Sequence, residues 1–416
     1  MNSKQKVSNE TLKEYARLIV RTGANVQPGQ IVQLTIAVDQ HEFAAMITEE
    51  AYRAGAKKVN MIWLSDAQER LHYTYADEET LSRTLPWEEE KLRQMTEDLP
   101  VRIFIESEDP DALSGLDPEK LSRVRRSRSA VAKPYRDAID GKHQWCIAAL
   151  PSVAWARKCF PDVSDDEAVS LLFDAVFKTV RIAGGTDAVA AWKTHVDGLK
   201  KRSDWLNSQH FVRLEYRSRN GTDFSVEMIP GASWEGAGTV NLENGAYYIP
   251  NMPTEEIFTS PCAGRCEGTL VAVKPLSWNG QLIENFSVRF ENGRAVSCRA
   301  EKGQELLEKM IGMDEGAARL GEIALVPKES PVNACGFLFY NTLFDENACC
   351  HVALGQGFKE VLPGGENLSV EEAAAAGIND SIIHVDFMVG ADDLAITGVR
   401  SDGSRVPIFR DGTWAE

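Results

Sequence analysis

The sequence predicts an α/β N-terminal domain, a mostly parallel sheet with flanking helices, followed by a β-rich α+β C-terminal domain. Three observations lead there. Strand and helix patterns alternate through the first half, hairpin signals begin just after residue 210, and 416 residues exceed what one ordinary core organises.

Each element follows from its periodicity. "TLKEYARLIVRTG" carries apolar residues at helical spacing and stops at Gly23. "GQIVQLTIA" is β-branched and strand-like, and "HEFAAMITEEAYRAGA" is helical again, closed by Gly55. "KKVNMIWL" reads as a strand, "EEEKLRQMTED" as a helix, and "VRIFIES" and "HQWCIAALP" as further strands. Such alternation implies parallel strands with helices on the sheet's faces. Three helical stretches follow between residues 152 and 209.

The character then changes. "FVRLEYRSRNGTDFSVEMIP" is two alternating runs joined around Asn220-Gly221, a strong hairpin signal. "LIENFSVRFENGRAVSCRA" repeats the pattern around Asn292-Gly293, "KGQELLEKMIG" is one clear helix, and short strands end the chain. The domain boundary falls between 195 and 215, giving domains of 1–205 and 206–416.

Composition excludes several classes. Forty-five basic against sixty-two acidic residues give a charge of −17, which repels a phosphate backbone and excludes nucleic acid as a partner. The local run "RVRRSRSAVAKPYR" reads as a solvated helix face, or as a salt-bridged contact. The polar start "MNSKQKVSNETLKEY" and the lack of a long apolar run argue against a signal peptide and a membrane span. Eight cysteines are too sparse for a disulfide framework and fit a reducing cytoplasm; Cys146 and Cys335 read as small buried hydrophobes. "CAGRC" has no second pair at zinc-finger distance, and no G-x-G-x-x-G follows a strand, so dinucleotide binding is not expected.

Chemistry concentrates in the second half. In "SIIHVDFMVG", His384 and Asp386 share one face of a strand whose other face is apolar. Alone, that is either a neutralising pair or a metal site. "FDENACCHVALG" sets Cys349, Cys350 and His351 in a row. As a strand it places Cys349 and His351 on one face and Cys350 on the other, so the three cannot ligate one metal. A thiol nucleophile paired with His351 would need closer neighbours than same-face positions about 7 Å apart. Glu346 sits in the turn before that strand, able to fold back toward His351. Glu322 lies at the mouth of the apolar "LGEIALVP", and Glu255 and Glu256 lie between Pro253 and Pro261. Together, four carboxylates and two imidazoles are a ligand set for two adjacent divalent cations, whose charge the acids balance; oxygen and nitrogen donors suit Zn, Co or Mn.

In this order and spacing "NMPTEEIFTSP", "LGEIALVP", "FDENACCHVALG" and "IIHVDFMVG" strongly resemble the aminopeptidase T / aminopeptidase S family of dinuclear metallopeptidases, over essentially the whole chain. The resemblance implies a metal-dependent aminopeptidase that removes N-terminal residues from short peptides. It implies the ligands Glu256, Glu322, Glu346, His351, His384 and Asp386, the motif favouring Glu256 over Glu255. It also implies a homodimer whose active sites open into an interior cavity. One position departs: where the family has a tyrosine thought to assist catalysis, seven residues after the histidine, this chain has Phe358. A phenyl ring donates no hydrogen bond, so the alternative expectation is a weakly active or non-catalytic metal- or peptide-binding homologue.

Overall fold

Alternation in the first half becomes a parallel sheet in the computed structural model, which describes residues 7–182, 187–278 and 281–415. The first six residues of the polar start lie outside the described residues. Ser8 caps α1 (Asn9–Leu18), its hydroxyl accepting from the Thr11 N–H at 3.1 Å. The turn that follows ends at Gly23, where a β-carbon would meet Cys146 Sγ at 2.5 Å; only glycine fits this approach. Then come β1 (Ile31–Ala37), α2 (His41–Arg53), β2 (Lys58–Leu64), α3 (Asp66–Tyr75), α4 (Glu78–Ser82), α5 (Pro86–Asp98) and β3 (Val101–Glu106). After α6 (Pro118–Ile139), β4 (Trp145–Ala149) completes a sheet of order β2-β1-β3-β4, every neighbouring pair parallel. Val32, Leu34 and Ile36 of β1 alternate into the core with no exposure. The basic run lies on α6, where Arg123 pairs with Glu78 and Arg128 with Glu88 near solvent, contacts that stabilise little. Helices α7 (Val153–Cys159), α8 (Asp165–Thr179) and α9 (Ala188–Gln209) follow.

Beyond α9 the strands are antiparallel. They are β5 (Phe211–Arg217), β6 (Asp223–Met228), β7 (Glu235–Gly236), β8 (Thr239–Val240), β9 (Tyr247–Tyr248), β10 (Ile257–Thr259), β11 (Pro261–Val271), β12 (Leu276–Trp278), β13 (Gln281–Glu291) and β14 (Arg294–Lys302). The turn between β5 and β6 contains Gly221 at φ 107°, and that between β13 and β14 has Asn292 and Gly293 both at positive φ, the tight-turn conformation that Asn-Gly favours. After α10 (Gln304–Ile311) come β15 (Leu320–Leu325), α11 (Thr342–Asp345), β16 (His351–Gly355), α12 (Val370–Ala376), β17 (His384–Met388), β18 (Ala395–Arg400), β19 (Arg405–Arg410) and β20 (Thr413–Trp414).

The chain divides into two compact units, Met1–Thr194 with Gly238–Pro253, and His195–Ala237 with Thr254–Glu416. The boundary at 205/206 expected from the change to hairpin patterns lies within α9, and the first unit regains the β8–β9 hairpin later in the chain. The second unit holds a nine-stranded sheet and a five-stranded sheet ordered β17-β16-β15-β10-β7. Phe224, Phe286, Phe290, Val352, Leu354, Val385 and Phe387 share its core. Burying one such phenyl ring contributes roughly 2–3 kcal/mol. Cys146 is fully buried as expected, but Cys335 is only half-buried, in a short turn where its Sγ–H donates to the Pro331 carbonyl. Among the described residues no helix is long and apolar enough to cross a membrane.

Candidate metal centre

Three adjacent strands carry the site. In the antiparallel register Glu322 of β15 stands opposite Ala353 of β16, and Ala353 stands opposite Asp386 of β17. Register partners share a face, as do residues two apart on one strand. Glu322, His351, Asp386 and His384 therefore project from one face, around the small side chain of Ala353. The intervening Ile323, Val352, Leu354, Val385 and Phe387 enter the apolar core on the other face.

The donor atoms form two groups that meet at Glu322. Oxygen and nitrogen atoms of Glu256, Glu322 and His351 lie within 4.8 Å of one another, as do those of Glu322, His384 and Asp386. His351 Nε2 is 3.2 Å from Glu256 Oε2; His384 Nε2 is 3.1 Å from Glu322 Oε2 and 3.4 Å from Asp386 Oδ1. Glu322 sits within β15 rather than at its mouth, 4% exposed, and Asp386 is 6% exposed. His384 is less enclosed than its apolar neighbours imply, because it opens β17 and keeps 28% of its side chain exposed. Glu346 belongs to neither group. It lies in the turn Glu346–Ala348 after α11, close enough to Glu256 and Asp386 to feel their charge. Glu255 points elsewhere, its Oε2 lying 3.8 Å from His195 Nε2.

The histidines are oriented from behind. Nδ1 of His384 is 2.8 Å from the Gln356 carbonyl, and Nδ1 of His351 is 3.2 Å from the Cys349 carbonyl. A carbonyl only accepts, so each Nδ1 carries the hydrogen and each Nε2 faces the carboxylates.

Without a metal, the two imidazoles are the positive charges that face these acids. Burial, then the charges of Asp386 and Glu256, push Glu322 up to about 7. Burial and the charges of Glu256 and Asp386 likewise hold Glu346 well above the carboxylate range. Burial pulls the imidazoles down, but Glu256 overrides it and raises His351 to about 10, while Asp386 and Glu322 raise His384 to about 12. Asp386 is drawn below its usual value because His384 outweighs the effect of burial. Its Oδ1 is nevertheless buried without a hydrogen bond, a costly state for a carboxylate oxygen. Among the described residues, the ion pairs of Glu256, Glu322 and Asp386 are to histidine only. A buried carboxylate oxygen whose nearest partner is an imidazole 3.4 Å away, acids whose ion pairs among the described residues are to histidine, and Nε2 atoms aimed inward fit divalent metal ions.

The profile of the thermophilic metalloprotease family (M29) matches residues 8–414. The chain belongs to that family. It is 40% identical over 408 residues to aminopeptidase AmpS of Bacillus subtilis, covering 98% of this chain and 99% of the relative. It is 38% identical to aminopeptidase T of Thermus thermophilus, covering 97% of this chain and 98% of the relative. The solved structure of wild-type AmpT from Thermus thermophilus superposes with a TM-score of 0.90 at 37% identity, covering 98% of this chain and 99% of that one.

Within this M29 chain the two adjacent cysteines are packing residues. Cys350 lies in the apolar core with its Sγ–H directed to the Val326 carbonyl at 3.3 Å, and burial pushes the Cys349 thiol up to about 11. Neither is a thiolate near neutral pH. Cys349 acts through its carbonyl instead. Phe358 stands beside the site, its ring centroid 5.0 Å from that of His384 and 5.3 Å from that of Phe258. Sequence reasoning missed Ala353, Gln356 and Asn347. Only Ala353 left a trace, as the small residue two positions after His351 on the polar face.

Proposed function

We propose that this chain is a metal-dependent aminopeptidase that removes N-terminal residues from short peptides. The proposed ligands are Glu256, Glu322, Glu346, His351, His384 and Asp386, holding two divalent ions of Zn, Co or Mn. The observation that carries this reading is the meeting of two donor groups at Glu322, the arrangement a bridging carboxylate makes. Bound divalent ions would supply Lewis acidity, lowering the pKa of water and polarising a scissile carbonyl.

The chain's own residues do the rest. His351 and His384 would offer Nε2 to the ions, each ring held by its Nδ1–H on the Cys349 or Gln356 carbonyl. The chain's net charge of −17 attracts the ammonium end of a peptide, and a requirement for that free amine makes the site an exopeptidase. The catalytic domain is the second one, 206–416 in the sequence reading; a homodimer in the cytoplasm completes the proposal.

A second reading rests on Phe358, whose phenyl ring faces His384 where the resembled family has a hydroxyl. On that reading the chain binds metal and peptide but turns over slowly. Release of p-nitroaniline from leucine p-nitroanilide separates the two, measured with chelator and after adding Zn, Co or Mn. Metal-restored turnover supports the aminopeptidase. Tight metal binding without turnover supports the second reading, and activity that survives thorough chelation overturns both.

A further inference from the structure

Glu256 and Glu346 reach the site from segments outside the three strands, so something must hold those segments in place. The side chain that does so is Asn347, which has no exposure at all. Its Oδ1 accepts the Glu255 N–H at 2.7 Å, fixing the loop one residue before Glu256. Its Nδ2 donates to the Leu343 carbonyl at 2.9 Å, within the helical turn that leads into Glu346, and lies 3.5 Å from Glu346 Oε1. The backbone is held as well, since Ser330 Oγ donates to the Asn347 carbonyl at 2.6 Å.

We propose that Asn347 is a positioning residue that locks the Glu256 loop to the Glu346 turn, setting the spacing of these two carboxylates for metal. The inference rests on the ligand assignment above. Asparagine suits the task because one planar amide accepts on one edge and donates on the other. Aspartate has no hydrogens for the Leu343 carbonyl, and alanine reaches neither segment. Residues that orient ligands typically change metal affinity about 10- to 100-fold when replaced.

The test compares the full-length protein with Asn347→Ala, Asn347→Asp, His351→Ala and Asn241→Ala. Asn241 is also a buried asparagine, 2% exposed, in the first unit, so its loss reports on generic destabilisation. Two readouts are Zn affinity by chelator competition and the visible spectrum of the Co(II)-loaded protein, with circular dichroism confirming folding. Asn347→Ala is expected to weaken Zn binding about 10- to 100-fold and to alter the Co(II) spectrum. Asn241→Ala is expected to lower the melting temperature and leave both readouts unchanged. Asn347→Asp keeps the acceptor for the Glu255 amide, so it serves if the alanine variant does not fold, and its Co(II) spectrum should also shift.

Parental affinity and spectrum in a folded Asn347 variant would overturn the positioning role while His351→Ala still weakens binding. If His351→Ala also binds Zn like the parent, the ligand assignment itself fails, and this inference with it.

Discussion

Removing metal should make the protein's stability fall as pH rises, although soluble enzymes often gain stability from mildly acidic to neutral pH. The sign follows from three groups. Glu322 is raised from 4.5 to about 7, so the native state holds a proton that the unfolded chain has released, and stability is lost as pH climbs through that window. His351 and His384 are raised from 6.5 to about 10 and about 12; their contribution is whole below about pH 6.5 and falls as pH rises toward those values. Asp386 is lowered, and its contribution is lost only in acid below its ordinary 3.8. Glu322 alone, shifted by about 2.5 units at ~1.4 kcal/mol each, costs the metal-free fold roughly 3 kcal/mol by about pH 8. At about 2–4 °C per kcal/mol for a domain of this size, that is a fall of roughly 6–12 °C. Metal binding has the opposite dependence, because ligands must be deprotonated to bind. Melting curves from about pH 5 to about pH 8, with chelator and with Zn, should therefore show a gap that widens with pH. A chelated protein whose melting temperature stays flat or rises over that range, with a constant gap, would refute the electrostatic account of the site.

Other outcomes follow from single positions. Phe358→Tyr places a hydroxyl beside His384 and should raise kcat, by up to about 10²–10³ if such a donor limits the rate, with metal affinity unchanged. An unchanged kcat would mean that another group already fills the role. Ala353→Val places bulk between Glu322 and Asp386 and should weaken Zn binding about tenfold or more, measured by chelator competition; parental affinity would contradict the register argument. A thiol-blocking reagent under native conditions should leave hydrolysis intact, since the Cys349 thiol is raised to about 11 and Cys350 is in the core. Inactivation that chelators do not mimic would restore a sulfur mechanism.

Much of the fold was legible because strands with one buried face announce themselves by period two. β1 and β3 alternate in burial as their sequences alternate in hydropathy, and two Asn-Gly turns mark hairpins of the second half. The later return of Gly238–Pro253 to the first unit was not legible, because compactness depends on contacts far apart in sequence. At the site, five of the six residues picked out by type and order meet in the two donor groups, while Glu346 stays outside them, and the pairings among them were not legible. That Glu256 faces His351 while Glu255 faces His195 depends on which way a loop turns its consecutive side chains. The same holds for Asn347, whose hydrogen bonds reach 92 residues back along the chain to Glu255.

The register of β16 explains why the adjacent cysteines and histidine mislead as a local motif. In this strand His351, Ala353 and Gly355 face the acids, while Val352 and Leu354 face the core. A slip of one residue would bury the imidazole among phenylalanines and aim Val352 at Glu322. That register is pinned on both flanks, by the Ala324–His351 pairing with β15 and the Gly355–His384 pairing with β17. Cys349 and Cys350 precede the strand, and their burial fixes where it begins: Cys350 joins the core, while the Val389 and Gly390 amides both donate to its carbonyl. The two cysteines thus bear on the candidate metal centre through packing and backbone contacts. The Cys350 carbonyl anchors the chain just before His351, and the proposed metal ligands are the histidines and carboxylates gathered from other segments.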